Sequence, residues 1–315
     1  MLPLYAQSDS VFKNFPHAGL LFDKYLDQWV EQDNEPDSKE NEKKPQIEKK
    51  VFYENVIRQY KKSESQINPA LEKHLKRQAE LCTNLRGAGF VATTDWRFLT
   101  GFGAAHPYEA GFVWHRTLSV PYLPGSSIKG MMRAWAEQWQ EDAALRMEAE
   151  KLFGHKDTHP QQNPGALIIF DALPLVAPKL ELDILTPHYQ DYYLDPENNS
   201  PADYYDPVPV FFITVAPGQK LRFDLAPRPG AHPSTSEANA DLKKGEKILE
   251  EALRFLGAGA KTALGYGRML DITKPEKQDA PKPQKPLNET DLIKASALLQ
   301  GKFGVSPAQN NKKGK

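Results

Sequence analysis

Two segments of the chain combine small residues, hydroxyl groups and cations in patterns that suit an anionic ligand. The first, LPGSSIKG at 123–130, places two serines and a lysine at the predicted start of a helix. There the unpaired backbone N–H groups and the helix dipole favour a phosphate. Ser126 is also the candidate N-cap, and capping does not exclude phosphate contact. The surrounding stretch 110–136 contains no acidic residue, and its candidate binding residues are Arg116, Ser126, Ser127, Lys129 and Arg133.

The second segment, GAGAKTALGYGR at 257–268, joins a predicted helix to the presumed last strand. Its glycines allow an anion to approach the backbone N–H groups closely, while Lys261 and Arg268 add charge and Tyr266 offers a stacking face. The alternative interpretation is a tight, close-packed connection. The candidate binding residues of this loop are Gly257, Gly259, Lys261, Thr262, Gly265, Tyr266, Gly267 and Arg268.

The glycine-rich segment 257–268 does not match a nucleotide-binding loop. A Walker A loop needs glycine directly before the lysine and another five residues earlier, where this chain has Ala260 and Phe255. The dinucleotide fingerprint fails because Thr262 stands at its third glycine and because the segment follows a helix. We therefore expect no nucleotide cofactor.

The overall charge confines any polyanion site to a local surface. The 315 residues include 40 lysines and arginines and 41 aspartates and glutamates, which gives a formal net charge of -1. No global positive field attracts the chain to nucleic acid or to a membrane surface. The stretch 252–270 around the second segment also contains no acidic residue. These two acid-free windows, 110–136 and 252–270, therefore define one candidate basic surface.

Cysteine use and hydropathy indicate a cytoplasmic protein. Cys82 is the only cysteine, which excludes intrachain disulfides, thiolate zinc clusters and iron–sulfur sites and favours a reducing compartment. The N-terminus lacks the pattern of a signal peptide, and the apolar stretch 166–177 is interrupted by Asp171 and Pro174. We expect no membrane span.

The first 86 residues predict a helical extension. Helical spacing is seen at 20–26, at 51–60 and at 69–85, where Cys82 falls on the apolar stripe and is expected in the core. Between them, 31–50 holds seven acidic residues, five lysines and one large aliphatic residue, which predicts a disordered loop.

The stretch 87–273 predicts an α+β domain of the ferredoxin-like type. Candidate strands are Gly89–Ala92, Arg97–Thr100, Leu167–Phe170, Phe211–Val215 and Lys220–Leu225. Two helices separate them, one from Ser126 to about Gly154 and one from Asp241 to Leu256, which stops at Gly257. The tail 274–315, with nine lysines and four acids, is expected to be a flexible basic terminus; it is either without specific function or a weak tether to RNA.

Five motifs, in chain order, resemble the RAMP superfamily of CRISPR-associated proteins. They are LPGSSIKGMMRAW at 123–135, LFG at 152–154, FDALP at 170–174, TPHYQDYY at 186–193 and GAGAKTALGYGR at 257–268. TPHY followed by DPVPVFFITV at 206–215 narrows the resemblance to the Cmr (type III-B) RAMP subunit near the 3′ end of the guide RNA. The resemblance covers about 87–273.

The resemblance implies a ferredoxin-like, RNA-recognition-motif-like (RRM-like) domain with long inserted loops. It also implies a non-catalytic role in binding CRISPR RNA within a multi-subunit effector that targets RNA. The implied partners are the repeated RAMP backbone subunit, a small helical subunit and the other 3′-end RAMP subunit, with target RNA contacted indirectly.

The alternative function is a metal-independent CRISPR-repeat endoribonuclease on the same fold. It would need an acid or base such as His106, His115 or His188, whereas pairing or loop ordering is the commoner use of His106 and Glu109. The resemblance implies that the related backbone subunit cleaves with an aspartate in the loop after the first strand, and no aspartate occurs from 101 to 129. We therefore expect no catalysis and no metal site.

The loop at 187–209 combines five tyrosines with five acids. The acids disfavour phosphate, while tyrosines are efficient anchors in protein interfaces, so contact with a neighbouring subunit is the favoured interpretation. Base stacking by one or two rings is the alternative. The residues that could contact either partner are His106, Glu109, His188, Tyr189, Tyr192 and Tyr193, and the loop also contains Tyr204 and Tyr205.

Overall fold

The computed structural model describes residues 17–24, 29–31, 45–47, 49–139, 143–154, 164–201, 207 and 209–273. The tail 274–315 lies outside these residues, as do Tyr204 and Tyr205. The first described elements are helix α1 (Ala18–Lys24), an antiparallel pair of strands, β1 (Trp29–Glu31) and β2 (Pro45–Ile47), and helix α2 (Lys49–Asn84).

Helix α2 runs for 36 residues without a break. The two helices predicted at 51–60 and 69–85 are therefore one. Pro69 lies inside it and is exposed, and an interior proline costs about 3 kcal/mol. The buried stripe along the helix, from Phe52 to Cys82, offsets that cost. Of the segment 31–50, predicted to be a disordered loop, β2 and the first two residues of α2 are regular structure, whereas 32–44 lies outside the described residues.

The main sheet has five strands, β3 (Ala88–Thr94), β4 (Leu167–Ile169), β5 (Leu173–Pro174), β8 (Lys220–Pro227) and β9 (Met269–Thr273). They lie in the order β4-β8-β3-β9, with β5 also on β8, and every pairing is antiparallel. Helices α3 (Gly125–Ala134) and α4 (Ala143–Phe153) lie in the connection from β3 to β4, which crosses over the intervening strand β8. Helix α6 (Thr235–Phe255) lies in the connection from β8 to β9, which crosses over β3. This interleaving of two β-α-β units confirms the α+β class and is consistent with the ferredoxin-like arrangement.

Helices cover both faces of the main sheet at strand β8. The side chain of Asp224 accepts a hydrogen bond from Gln78 of α2 at 3.0 Å, and its exposure is 1%. The next residue, Leu225, points the other way, toward Gly245 of α6. Since α2 lies against β3 and β8 as well, RNA cannot lie flat across this part of the sheet as it does in an RRM.

A second, two-stranded sheet carries the tyrosine-rich segment. Strands β6 (Leu180–Leu185) and β7 (Val210–Val215) pair antiparallel, and the short helix α5 (Gln190–Leu194) lies between them. The predicted strand Arg97–Thr100 is wrong, because this segment makes one isolated bridge, from Phe98 to Val215. The carbonyl groups of Arg97 and Leu99 instead accept hydrogen bonds from the glycine-rich loop 257–268, as described below.

The predicted helix from Ser126 to Gly154 is divided. A π-helical turn at Trp135–Trp139 follows α3, and α4 is a separate helix. Trp139, which helical spacing from Ile128 and Trp135 predicts on the buried face, is 61% exposed. In contrast, α6 begins six residues before the predicted Asp241, because Ser234 caps it by accepting the N–H of Glu237.

One hydrophobic cluster joins the N-terminal helices to the sheet. Leu21 of α1 and Tyr60 of α2 belong to the same buried cluster as Phe223 of β8 and Leu249 of α6. Cys82 is buried, as its place on the α2 stripe predicts. Helices α1 and α2 of the predicted extension 1–86 therefore pack on the domain, and the separate boundary at 87 stays a prediction.

Candidate nucleic-acid interface

Helix α3 is capped by an aspartate from another part of the chain. Pro124 occupies the N-cap position and makes no side-chain hydrogen bond. The N–H of Gly125 donates to Oδ1 of Asp171 at 2.7 Å. The interpretation of Ser126 as the N-cap is therefore wrong, because the cap falls earlier and the acceptor is a carboxylate remote in sequence.

Close packing on strand β4 requires glycine at this helix start. A Cβ at Gly125 would stand 2.4 Å from the carbonyl oxygen of Ile169. Ser126 and Ser127 follow, both exposed, on the first turn. Because Asp171 already accepts one N–H and brings a carboxylate, an anion bound here would rely on the serine hydroxyls and the remaining donors of the turn.

Lys129 is one of three cations gathered beside α3. Burial, followed by the charges of Arg133 and Arg228, lowers the pKa of its ammonium group. Arg133 donates to a backbone carbonyl and lies 3.8 Å from Glu137, and Arg228 donates from Nε to another carbonyl at 2.7 Å. Within the described ranges Lys129 has no carboxylate partner. A phosphate beside it would therefore relieve repulsion among like charges.

The glycine-rich loop is held against the segment that follows β3. The N–H of Ala260 donates to the carbonyl of Leu99 at 2.7 Å, and the N–H of Gly267 donates to that of Arg97 at 2.8 Å. At Gly259, with φ +90°, a Cβ would lie 2.1 Å from Leu99 O, and at Gly267 it would lie 1.8 Å from Ala258 O. The close-packed interpretation therefore accounts for these two glycines.

Other residues of the loop remain accessible. Lys261 has a left-handed backbone, φ 57°, and its Nζ lies 4.4 Å from the centroid of the Phe102 ring. Thr262 begins a 3₁₀ turn that ends at Gly265, where a Cβ would meet open space. Arg268 is exposed. Lys261 and Arg268 thus supply the positive charge of the loop, while Gly257 is a buried helix stop with φ +77°.

Tyr266 does not offer the predicted stacking face. It is 8% exposed, and its hydroxyl donates to Oδ2 of Asp183 on β6 at 2.8 Å. Burial, followed by that carboxylate, raises the pKa of Tyr266 to about 12. Arg97 lies 3.4 Å from the same Asp183 oxygen. Tyr266 therefore supports the loop from inside, because ring and hydroxyl are both engaged within the protein.

The two acid-free windows are attached to adjacent residues of the chain. Leu99 accepts the N–H of Ala260 from the glycine-rich loop. Thr100 donates from Oγ1 to the carbonyl of Tyr122, two residues before the N-cap of α3, at 3.0 Å. Arg116, exposed in a turn, lies close enough to Tyr122 for its charge to lower the pKa of that phenol, although burial raises it more. The fold therefore brings the two windows to one region.

His106 and Glu109 contact the N-terminal helices. The His106 ring stacks on Phe22 of α1 at 4.2 Å between centroids, and its Nε2 lies 2.9 Å from the Phe22 carbonyl. Burial is the main cause of its lowered pKa. Glu109 forms an ion pair with Lys49 of α2. Both residues thus order the loop against the extension, the commoner use of such residues.

The tyrosine-rich segment lies apart from these contacts in sequence and on the second sheet. His188 is exposed, and its ring lies 6.3 Å from that of Tyr189. The rings of Tyr192 and Tyr193 are 5.6 Å apart, and Tyr193 is 72% exposed. These residues are accessible to a partner, and which partner they contact stays a prediction.

Sequence reasoning missed Asp171, Arg228 and Arg97. Asp171 is part of the FDALP motif, so its polar side chain between apolar neighbours was the available signal. No local pattern places Arg228 beside Lys129, because the two are almost a hundred residues apart.

The described residues contain no group of three or more His, Cys, Asp or Glu side chains arranged to hold a metal ion. Over the same ranges, no helix has the length and apolar character that crossing a membrane requires. The expectation that the protein needs no metal or cofactor stays a prediction.

Comparison with known proteins gives two curated relatives. The Cmr6 subunit of the CRISPR system of Pyrococcus furiosus is 28% identical over 256 residues, covering 64% of this chain and 72% of that protein. The Cmr6 subunit of Saccharolobus solfataricus is 27% identical over 194 residues, covering 59% of this chain and 61% of that protein. A solved structure of type III-B Cmr-beta bound to cognate target RNA includes a chain that is 22% identical, with a TM-score of 0.47, covering 74% of this chain and 78% of that one.

The curated relatives confirm the resemblance to a type III-B Cmr subunit that the motifs indicated. The family model described as the RAMP superfamily matches residues 78–270, which is more than half of the sequence. That range contains both acid-free windows, the capping Asp171, the first four strands of the main sheet and the first two residues of β9. The chain therefore belongs to the RAMP superfamily.

Proposed function

We propose that this protein is a non-catalytic structural subunit of a type III-B Cmr effector complex that binds CRISPR RNA and holds the 3′ part of the guide. The observation that carries the proposal is the convergence of two basic segments. Lys129 stands beside two arginines at the start of α3, and Lys261 projects from a loop anchored to the neighbouring segment. Both suit the phosphates of one strand.

The arrangement favours contact with the RNA backbone over reading of bases. Its donors are cations, serine hydroxyls and a helix start, none of which requires a particular base. The ring of Tyr266 is buried, and α2 covers the sheet face at β3 and β8. A guide of any sequence could therefore be held, as an RNA-guided complex requires.

The proposed partners are CRISPR RNA, the repeated RAMP backbone subunit, the small helical subunit and the other 3′-end RAMP subunit. Target RNA is contacted only through the guide. Tyr193 and Leu194 on α5 are 72% and 75% exposed, which suits a contact with a neighbouring subunit. Since Cys82 is a free thiol, we propose the reducing cytoplasm as the location.

The ribonuclease alternative is disfavoured by how its acid–base candidates are used. His106 and Glu109 are engaged with α1 and α2, and Nδ1 of His115 accepts the N–H groups of Thr117 and Leu118 in its own turn. His188, in the connection after β6, is then the exposed candidate. A general base must reach the proton it removes in a plausible substrate pose. We propose that a partner subunit supplies any cleavage.

The first experiment measures binding and cleavage by the purified chain. Labelled single-stranded RNAs of unrelated sequence should bind with similar affinity, and Lys129→Ala should weaken all of them. Repeat RNA incubated with the chain and EDTA should remain intact, whereas a discrete product would revive the ribonuclease.

The second experiment uses the assembled complex. Tagged neighbouring subunits should co-purify with this chain, and sequencing should identify CRISPR RNA as the bound nucleic acid. Complexes with His106→Ala, Glu109→Ala or His188→Ala should cleave target normally once assembled. A variant that assembles but loses one specific cut would place catalysis here.

A further inference from the structure

Three rings form a ladder that leads from helix α2 to the start of α3. The His74 and His115 rings lie 5.4 Å apart, and the His115 and Tyr122 rings are also 5.4 Å apart, both edge to face. All three side chains are partly exposed. Partly exposed rings in series are a stacking surface for the bases of a single strand.

The ladder adjoins a basic turn of α2. The sequence KHLKR at 73–77 places Lys73, Lys76 and Arg77 on exposed positions around His74. Over the described ranges, none of these three cations lies within ion-pair distance of a carboxylate, although Glu72 and Glu80 occupy the same helix. The turn therefore presents unneutralised positive charge beside the rings.

Asp171 connects this turn to the α3 site. Gln78, one helical turn after His74, donates from Nε2 to the backbone carbonyl of Asp171 at 3.0 Å. The Asp171 carboxylate in turn accepts the N–H of Gly125 at 2.7 Å. The basic turn of α2 and the first turn of α3 therefore contact the same residue, and a strand could pass from one to the other.

The other charges around the ladder still leave a surface suited to RNA. His115 lies near His17 and Asp171, and burial followed by the neighbouring His74 lowers its pKa. Asp23 lies near His17 and Arg116. Around the ladder there are thus two carboxylates, together with exposed cations and three histidines. The carboxylates are Asp23 and Asp171, and the histidines are His17, His74 and His115. That balance favours a polyanion with stackable bases over an acidic or apolar protein surface.

We propose that the guide RNA continues from the α3 site onto helix α2, with its phosphates on Lys73 and Arg77 and its bases on the rings of His74, His115 and Tyr122. The inference rests on the proposed function, because it extends the same strand. It assigns an RNA-binding role to the N-terminal extension.

The first test compares the RNA affinity of two double variants. Lys73→Ala,Arg77→Ala, called the 73/77 variant, removes the proposed phosphate contacts, and the control Lys61→Ala,Lys62→Ala removes two exposed cations elsewhere on α2. Loss of two phosphate contacts should reduce the salt slope of log K by about 1.4, at about 0.7 per phosphate of a single strand. Affinity should fall about tenfold or more for RNA of about 30 nucleotides and less than twofold for about 10 nucleotides, which fit the α3 site alone. Melting temperatures should be unchanged.

Lys129→Ala in the same assay separates the two proposals. If Lys129→Ala weakens binding while the 73/77 variant behaves like its control, the function stands and this inference is overturned. If both variants bind like the wild type, both proposals fail. If the 73/77 variant keeps its RNA affinity but no longer assembles, the surface is a subunit contact and the inference is also overturned.

The second test addresses stacking and the identity of the strand. His74→Ala should lower affinity about fivefold or more for an ordinary strand and leave the affinity for an abasic strand, which serves as the control, unaffected. Equal losses on both strands would contradict stacking. In the assembled complex, 4-thiouridine in the guide should cross-link to the 73–77 peptide, and cross-links from the target alone would overturn the assignment to the guide.

Discussion

The two lysines proposed to bind RNA phosphates, Lys129 and Lys261, are called the phosphate clamps below, and they allow a quantitative prediction. Lys129→Ala,Lys261→Ala removes two ammonium groups, neither of which has a carboxylate partner among the described residues. Each phosphate contact on a single strand contributes about 0.7 to the salt slope of log K. Extrapolated from 1 M salt, two contacts should be worth about 25-fold in affinity at 0.1 M salt and about 3-fold at 0.5 M. The loss should therefore shrink as salt is added.

Fluorescence anisotropy with two unrelated single-stranded RNAs, titrated at several salt concentrations, measures this loss. The matched control is Lys220→Ala,Lys243→Ala, since both lysines are exposed on other elements. The variant and the control have the same net charge, so a general field effect would affect both equally. Only the clamp variant should show the lower slope.

One structural correction applies to Lys261. Its Nζ lies over the Phe102 ring at 4.4 Å, and such a contact is worth about 0.5–1 kcal/mol at an exposed site. Lys261→Ala should therefore cost a little stability as well. Phe102→Leu removes the ring but keeps the lysine, and it should share the stability loss while retaining the salt slope. A loss of RNA affinity that is the same at 0.1 M and 0.5 M salt would refute the reasoning.

Three further predictions concern the loop, the helix start and pH. Gly259→Ala should lower both melting temperature and RNA affinity, because its Cβ would overlap a backbone carbonyl, whereas Gly265→Ala meets open space and should cost only about 1 kcal/mol of backbone strain; equal effects in both measurements would contradict this. Asp171→Asn should keep an acceptor for the α3 N–H and raise RNA affinity severalfold in anisotropy, since a carboxylate leaves the site; weaker binding would show that the carboxylate itself is needed. The folded state lowers the pKa of His106 and His115, mainly through burial, so the unfolded chain binds protons more readily. Their stabilising contribution is complete above the ordinary histidine pKa of about 6.5 and is lost as pH falls below it, so the melting temperature should drop between about pH 7 and 5, and by less in His106→Phe.

Local periodicity in the sequence was enough to predict several elements. The apolar stripe of α2 and the buried Cys82 follow from helical spacing, and strands β3 and β8 follow from short apolar runs between glycine and proline. The stop of α6 at Gly257 follows from the need for a residue tolerant of positive φ. These features depend on interactions within a few residues, which a short window of sequence contains.

The sequence predicted which residues belong to the candidate site better than it predicted how they are arranged. Both acid-free windows lie at the positions expected, a helix start and a glycine-rich loop. However, Tyr266 lies inside the protein, where its hydroxyl donates a hydrogen bond to Asp183. Asp183 belongs to strand β6, which the sequence did not predict. Strand β6 escaped prediction because its alternating acids resemble a solvated segment.

Local pattern and composition are enough to predict the α+β class, the family motifs and the residue types able to hold a phosphate. They do not predict that Asp171 caps α3, that Arg228 lies near Lys129 or that α2 covers the sheet. These contacts join residues far apart in the chain. Their charges and hydrogen bonds meet only when the two β-α-β units interleave, and no local spacing encodes that meeting.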